Sequence, residues 1–366
     1  RKPEVRNLSA GRGSLVLLKK RATSGLSAFF FVHWHGKGGR GQTYPRCYSL
    51  LEEKSEQNMA PTVILDVDTG VDDALAILYA TRHPDVRVLG ITCVDGNTNL
   101  AQVCRNTLQV LDAAEAGPIP VAAGAARPLM GPVGDSSHVH GDDGLAGLAN
   151  RDTSRTLDPR HAIELMRDLV EESDEPVTLV PVGPLTNIAL FLSTFPATAA
   201  RVERIVLMGG SASGGNVTAT AEFNVWHDPE AAHIVFSSSI PLTMYGLDVF
   251  YDLTLGEREV AELRAAGTPA STLGADISDY RLNSPDADMT LGDYGAVATM
   301  LHPELATGIP MLVSVDTSFG PGRGQTICDQ RPKTGDPSDT RLGRECTVIV
   351  DVDAEAMVRL WIDRMK

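Results

Sequence analysis

The stretch Val63-Ile64-Leu65-Asp66-Val67-Asp68-Thr69-Gly70-Val71-Asp72-Asp73-Ala74-Leu75-Ala76-Ile77 sets four carboxylates at the end of an apolar run. Val63 to Leu65 reads as a buried parallel strand, and Ala74 to Ala80 as the helix after it. Asp66 and Asp68, two apart, share one face of an extended segment. Asp72 and Asp73 fall at the helix start, where carboxylates accept from free backbone N–H groups and meet the positive end of the dipole. Capping alone uses one or two acids and leaves the strand-end pair unexplained. Acids this close repel one another unless a cation neutralises them. A hard cation that takes oxygen ligands, Ca²⁺ or Mg²⁺, is the simplest partner.

Outward from this stretch the pattern alternates. Val86 to Val94, Val177 to Val182, Arg204 to Met208 and Leu242 to Leu247 read as strands. Asn99 to Ala114, Ile163 to Val170, Pro184 to Leu192 and Glu230 to Phe236 read as helices between them. Arg258 to Arg264 and Leu273 to Tyr280 extend the helical set. Leu312 to Val315 and Thr347 to Val352 read as strands, and Ala354 to Met365 as a closing helix. The alternation predicts an α/β fold: an open, mostly parallel Rossmann-like sheet with helices on both faces and ligands at the carboxyl ends of the strands. The segment Thr317 to Leu342, rich in Gly, Pro and Asp, reads as a surface loop.

Composition narrows the partners. The formal net charge is −15, and eleven Lys/Arg against four Asp/Glu in residues 1–58 leave −22 on the remainder. Such a surface repels phosphates, which argues against a nucleic-acid partner. The five cysteines are an odd number without a C-x-x-C pair, and Cys93 and Cys104 read as buried reduced thiols. This fits a reducing, cytoplasmic setting rather than a disulfide framework. No apolar run approaches the roughly 20 residues of a membrane span. Residues 1–58 are basic and Gly/Ser-rich, and Met59 stands just before the first strong strand. We read 59–366 as one catalytic domain. Residues 1–58 are expected to be a disordered, dispensable extension: a tag, upstream translation or, if native, an organellar transit-like peptide.

Several strand ends carry side chains suited to a polyhydroxyl ligand. Asn97 follows Val94-Asp95-Gly96, and Asn187 closes Gly183-Pro184-Leu185-Thr186-Asn187. Met208-Gly209-Gly210 leads to Asn216 and to Ala221-Glu222-Phe223-Asn224, and Asp293 follows Leu291-Gly292. Asn and Glu suit vicinal hydroxyls because they accept, or both accept and donate, hydrogen bonds. Together with His138-Val139-His140-Gly141, these motifs and the opening D-x-D-x-G-x-D-D strongly resemble the nucleoside hydrolases, inosine/uridine-preferring enzymes that cleave the N-glycosidic bond of ribonucleosides. The likeness runs from about Met59 to the C-terminus.

The resemblance implies a tightly bound Ca²⁺ held by Asp68, Asp73, Asp293 and the backbone carbonyl of Val182. It implies that Asp68 is the general base, with Asp66 supporting it, and that Asp72, Asn97, Asn216, Glu222 and Asn224 bind ribose. Met208 would touch the sugar and His140 would lie near the base pocket. It also implies a homodimer or homotetramer. N-glycoside hydrolysis then passes through an oxocarbenium-like transition state attacked by an ion-activated water that Asp68 deprotonates. One departure stands out. Many members carry His immediately before the last metal-binding Asp, as a proton donor to the leaving base, and this chain has Gly292. His140, Tyr280 or a water relay are the candidate replacements, and His227 reads as the start of the next helix. Two competing readings remain at this level. One is a ribose- or nucleoside-binding protein without turnover. The other is a haloacid-dehalogenase-like phosphatase, in which Asp66-Val67-Asp68-Thr69 would supply Asp66 as nucleophile.

Overall fold

In the computed structural model the opening stretch forms strand β1 (Thr62–Val67), buried along its whole length. The structure describes residues 60–131, 140, 141, 143–149, 152–283, 289–331 and 340–366, with the backbone of four short strands before residue 47. Those four strands form two antiparallel pairs, Glu4–Ala10 with Gly13–Lys19 and Phe30–Trp34 with Gln42–Arg46. The chain divides into the units Arg1–Met59 and Ala60–Lys366.

After β1 come α1 (Val71–Arg82), β2 (Arg87–Cys93), α2 (Leu100–Ala113), β3 (Val121–Ala123) and α3 (Ala162–Glu172). Next are β4 (Val177–Pro181), α4 (Thr186–Thr194), α5 (Pro196–Ala199), β5 (Val202–Met208), α6 (Phe223–His227) and α7 (Pro229–Phe236). Then follow β6 (Leu242–Tyr245), α8 (Leu247–Phe250), α9 (Glu257–Ala266), α10 (Pro269–Leu282) and α11 (Tyr294–Leu301). The end of the chain adds β7 (Ala306–Val315), β8 (Thr326–Asp329), β9 (Arg344–Val352) and α12 (Ala354–Met365).

Among the described residues these strands make one nine-stranded sheet in the order β8-β7-β9-β6-β5-β4-β1-β2-β3. It is parallel except for β7, which runs against both neighbours. Strand β1 shows why the sheet is covered twice. Val63, Leu65 and Val67 join the apolar layer with α1, α2, α10, α11 and α12, while Ile64 joins the layer with α3, α4 and α7. Successive side chains leave a strand on opposite faces, so an unbroken apolar run needs a partner layer on each side.

The order also fixes the site. After β1 the chain builds β2 and β3 on one side, then returns to place β4 on the other. The crevice at such a reversal lies beyond the carboxyl ends of the two strands that flank it. These ends deliver Asp68 and Val182 side by side, joined by Val182 N–H donating to Asp66 O at 2.8 Å.

Three local expectations are corrected. The strand read as Leu242 to Leu247 stops at Tyr245, because Leu247 N–H donates to Gly210 O and starts α8. The segment read as a surface loop contains β8, tied to the strand end after β5 by Thr326 Oγ1, which donates to Ser211 O at 2.6 Å and accepts from Ser211 N–H at 2.8 Å. His227 ends α6, and the cap of α7 is Asp228, whose carboxylate accepts from Ala231 N–H at 3.0 Å. Cys93, Cys104, Cys328 and Cys346 are free thiols, and among the described residues no helix is long and apolar enough to cross a membrane.

Candidate active site

Burial and hydrogen bonding give the four opening acids different surroundings. Asp66 is fully buried, and its Oδ1 accepts from Thr92 Oγ1 at 2.6 Å and Asn187 Nδ2 at 2.8 Å. Asn187 also donates to Cys93 O and accepts from Ala125 N–H, so it stitches β1, β2 and the turn after β3. Burial pushes the Asp66 carboxyl up to about 7 against these two hydrogen bonds. A carboxylate enclosed in this way cannot reach a phosphoester, which removes the phosphatase reading.

Asp68 is held from one side only. Its Oδ2 accepts from Asn97 N–H at 2.7 Å, and its Oδ1 is buried without a hydrogen-bond partner. Burial and then the charge of Asp73 raise its carboxyl well above the ordinary range. Two glycines make its slot. A Cβ on Gly96 would fall 2.1 Å from Asp68 Oδ2, and one on Gly183 would fall 2.7 Å from Oδ1. We therefore expect Gly96→Ala to displace this carboxylate and cut kcat about 100-fold, the scale of a ~1 Å misplacement. Circular dichroism should show an intact fold, and wild-type turnover would reject the slot's importance.

Asp73 turns back to its own helix start, accepting from Asp68 N–H at 3.1 Å and Gly70 N–H at 2.9 Å. Asn97 Nδ2 adds a third bond at 3.0 Å. Burial and the neighbouring Asp72 charge carry Asp73 up to about 7. Asp72 is the most open of the four, with its side chain 18 % exposed, yet its Oδ1 is buried and lies 3.6 Å from His140 Nδ1. Asp293 arrives at the start of α11 and is 3 % exposed. Its carboxyl is raised well above the usual range by burial and by Asp72, Asp73, Asp68 and Glu222.

Asp72, Asp73 and Asp293 bring carboxylate oxygens within 4.8 Å of one another. The expected metal set named Asp68 in place of Asp72. Among the described residues Asp72 is the third carboxylate of this close group, and Asp68 stands beside it through the Asp73 bond. An all-oxygen set of close, mutually repelling acids, with the buried Asp68 Oδ1 beside it lacking a hydrogen bond, fits a hard divalent cation.

The polar strand ends close around these acids. Asn224 Nδ2 donates to Val182 O at 2.8 Å, to Met208 O at 3.2 Å and to Met208 Sδ at 3.3 Å. This leaves the second lone pair of the Val182 carbonyl for another partner. Glu222 caps α6 and reaches back to Gly210 N–H at 2.8 Å, and burial lifts its carboxyl to about 7. Asn216 is exposed, its Oδ1 accepting from Phe223 N–H at 3.0 Å. His140 Nδ1 accepts from Val71 N–H at 3.1 Å, so the neutral ring carries its proton on Nε2. Tyr280, half-buried on α10, points its hydroxyl at the His140 turn, where a Cβ on Gly141 would be 3.3 Å away. His138 lies outside the described residues.

Two further features escaped sequence reading. Gly292 has φ +47°, and a Cβ there would meet the Phe250 ring at 2.7 Å and Asp72 Cβ at 3.0 Å. The place of the expected His is filled by an aromatic ring from α8. Next to it Tyr251 is hydrogen-bonded to the Asn216 side chain. No local pattern announces either contact, because each joins segments about 40 residues apart.

Known proteins resemble this chain. The chain is 39 % identical over 315 residues to the pyrimidine-specific ribonucleoside hydrolase RihA of Escherichia coli, covering 84 % of this chain and 99 % of that protein. A plant nucleoside hydrolase, PpNRh1, superposes with a TM-score of 0.77 at 28 % identity, over 84 % of this chain and 99 % of that one. A purine-preferring ribonucleoside hydrolase from Gardnerella vaginalis superposes with a TM-score of 0.75 at 34 % identity, over 83 % and 98 %. The family model for inosine-uridine preferring nucleoside hydrolases matches residues 63–359, and with its acids, its strand-end amides and this match, the chain belongs to that family of ribonucleoside hydrolases.

Proposed function

We propose that the enzyme hydrolyses ribonucleosides with a Ca²⁺ ion held by Asp68, Asp73, Asp293 and the Val182 carbonyl, and with Asp68 as general base. The observation that carries this reading is the Asp68 carboxylate, one oxygen fixed by Asn97 and the other buried and unpartnered. When bound, such an ion supplies a template for sugar hydroxyls, neutralises the acids and eases deprotonation of a water molecule. Asp68 takes that proton on its unpartnered Oδ1. Asp66, locked by Thr92 and Asn187, keeps the β1 end in register beneath it. Asp72, Asn97, Asn216, Glu222 and Asn224 engage the ribose, with Met208 packed against it. The ring of carboxylates favours the positive charge that grows at the anomeric carbon.

Departure of the base draws on His140 as proton donor, with Tyr280 beside it as second candidate. Gly292 offers no donor. Residues 1–58 stand outside this machinery, and the homologous region begins only after them. Assembly as a homodimer or homotetramer in the cytoplasm completes the reading.

A panel of inosine, adenosine, guanosine, uridine and cytidine tests it, with free base measured with and without chelator. We expect release of base from at least one ribonucleoside, abolished by chelator and equal in a chain starting at Met59. Tight nucleoside binding without release over hours would instead favour the binding-protein reading.

A further inference from the structure

We propose that Tyr251 is a further substrate-positioning residue of this hydrolase, its phenol hydroxyl contacting a ribose hydroxyl beside Asn216 and Glu222. This rests on the ribose assignment made above and extends it to a residue outside the matched motifs.

Tyr251 follows α8 directly, and its neighbour Phe250 anchors it. The Phe250 ring is 8 % exposed and wedged against Gly292, at the point where a Gly292 Cβ would also touch Asp72. Thr290 Oγ1 donates to Phe250 O at 2.8 Å and accepts from Gly292 N–H at 3.1 Å, tying the end of α8 to the segment that delivers Asp293. Asp248 Oδ2 accepts from Ala212 N–H at 2.8 Å and ties the start of α8 to the glycine loop that leads to Asn216. The Tyr251 ring packs edge-on against Phe250, with centroids 5.1 Å apart at 79°.

A braced side chain in such a setting would ordinarily be covered, yet Tyr251 is 48 % exposed. The Asn216 side chain hydrogen-bonds its hydroxyl, and Glu222 and Asp72 act on it electrostatically. Burial, together with those two charges, raises the phenol, so the hydroxyl stays protonated and can donate at neutral pH. One open hydroxyl that both donates and accepts thus meets Asn216 and feels Glu222, from the same loop, and Asp72, from the start of α1. The Tyr251 ring rests on Phe250, which packs over Gly292.

The test compares Tyr251→Phe with the wild-type chain on one ribonucleoside and on its 2′-, 3′- and 5′-deoxy forms. Loss of one hydrogen bond should raise KM about 10-fold on the ribonucleoside with kcat within about twofold. The penalty should vanish for the one deoxynucleoside that lacks the contacted hydroxyl. An unchanged KM, or a penalty equal on all four substrates, would overturn the contact. A wild-type chain inert on every ribonucleoside would overturn the parent mechanism instead, so the two failures are distinct. Tyr251→Phe removes one atom at the surface, and thermal melting confirms that the fold is intact.

Discussion

Asp68→Ala is expected to lower kcat/KM for ribonucleosides by at least about 10³-fold while leaving the melting temperature unchanged or higher. A positioned general base contributes roughly 10²- to 10⁴-fold, and Asp68 would also be lost as a ligand of the ion. Stability should not suffer in proportion. In the ion-free protein this carboxylate is buried beside Asp73, with one oxygen unpartnered and its carboxyl raised by burial and repulsion. Removing such a group relieves strain that the fold tolerates for function. The bond lost is Asn97 N–H to Oδ2, and Gly96 and Gly183 leave little room for a cavity to grow. Asp68→Asn should retain an acceptor for Asn97 and still lose activity, which separates loss of the base from loss of packing. Free base measured by absorbance, alongside a thermal melt, checks both halves. Turnover near wild type in either variant would remove Asp68 from the base role.

Adding Ca²⁺ to the ion-free protein should raise its melting temperature, and by more at pH 8 than at pH 5.5. The sign follows from the carboxyl groups. Asp66, Asp73 and Glu222 are each lifted to about 7, first by burial. Asp68 and Asp293 are also raised well above the usual carboxylate range. A carboxyl raised above its unfolded value contributes stability that is fully present below about pH 4. That contribution is lost as the pH climbs through 7. The ion-free protein is therefore weakest at alkaline pH, where the acids are charged and repel one another. A cation binds the charged form and so gains affinity as protons leave. At 100 times its dissociation constant it adds about 2.7 kcal/mol, which corresponds to a rise of about 4 °C for a domain of this size. Asp293→Asn should reduce that rise sharply, because it neutralises one of the three mutually close carboxylates. Equal shifts at the two pH values, or none, would show that these acids hold no divalent cation. Since Glu222 is not one of the three close acids, Glu222→Gln should keep most of the ion's effect and lose sugar affinity.

The sheet was legible because its strands are short apolar runs between amphipathic helices, and because Asp residues mark where β1 ends. The closing helix Ala354 to Met365 matches its expected bounds. Its apolar spacing is local, and Asp353 caps it by accepting from Ala356 N–H. The three-residue β3 and four-residue β8 escaped notice. Runs that short carry no periodicity, and each exists only because a longer neighbour offers it a ladder, β2 for one and β7 for the other.

The same division holds in the site. Residue types and spacing determined the acid cluster and the amides at the strand ends, since a strand followed by a helix start places its own side chains. Tertiary structure alone decided which carboxylates meet. Asp72, Asp73 and Asp293 come together, and Asp68, in the slot between Gly96 and Gly183, stands against Asp73. It also decided that Phe250 fills the space over Gly292 and that Tyr251 faces Asn216. Such contacts join segments far apart in the chain, and their geometry depends on packing distances of 2–3 Å that no local pattern encodes. What the sequence determined by itself was an α/β sheet ending in acids that call for a cation and a sugar. The tertiary packing assigned each acid its surroundings and put an aromatic wall where a proton donor was expected.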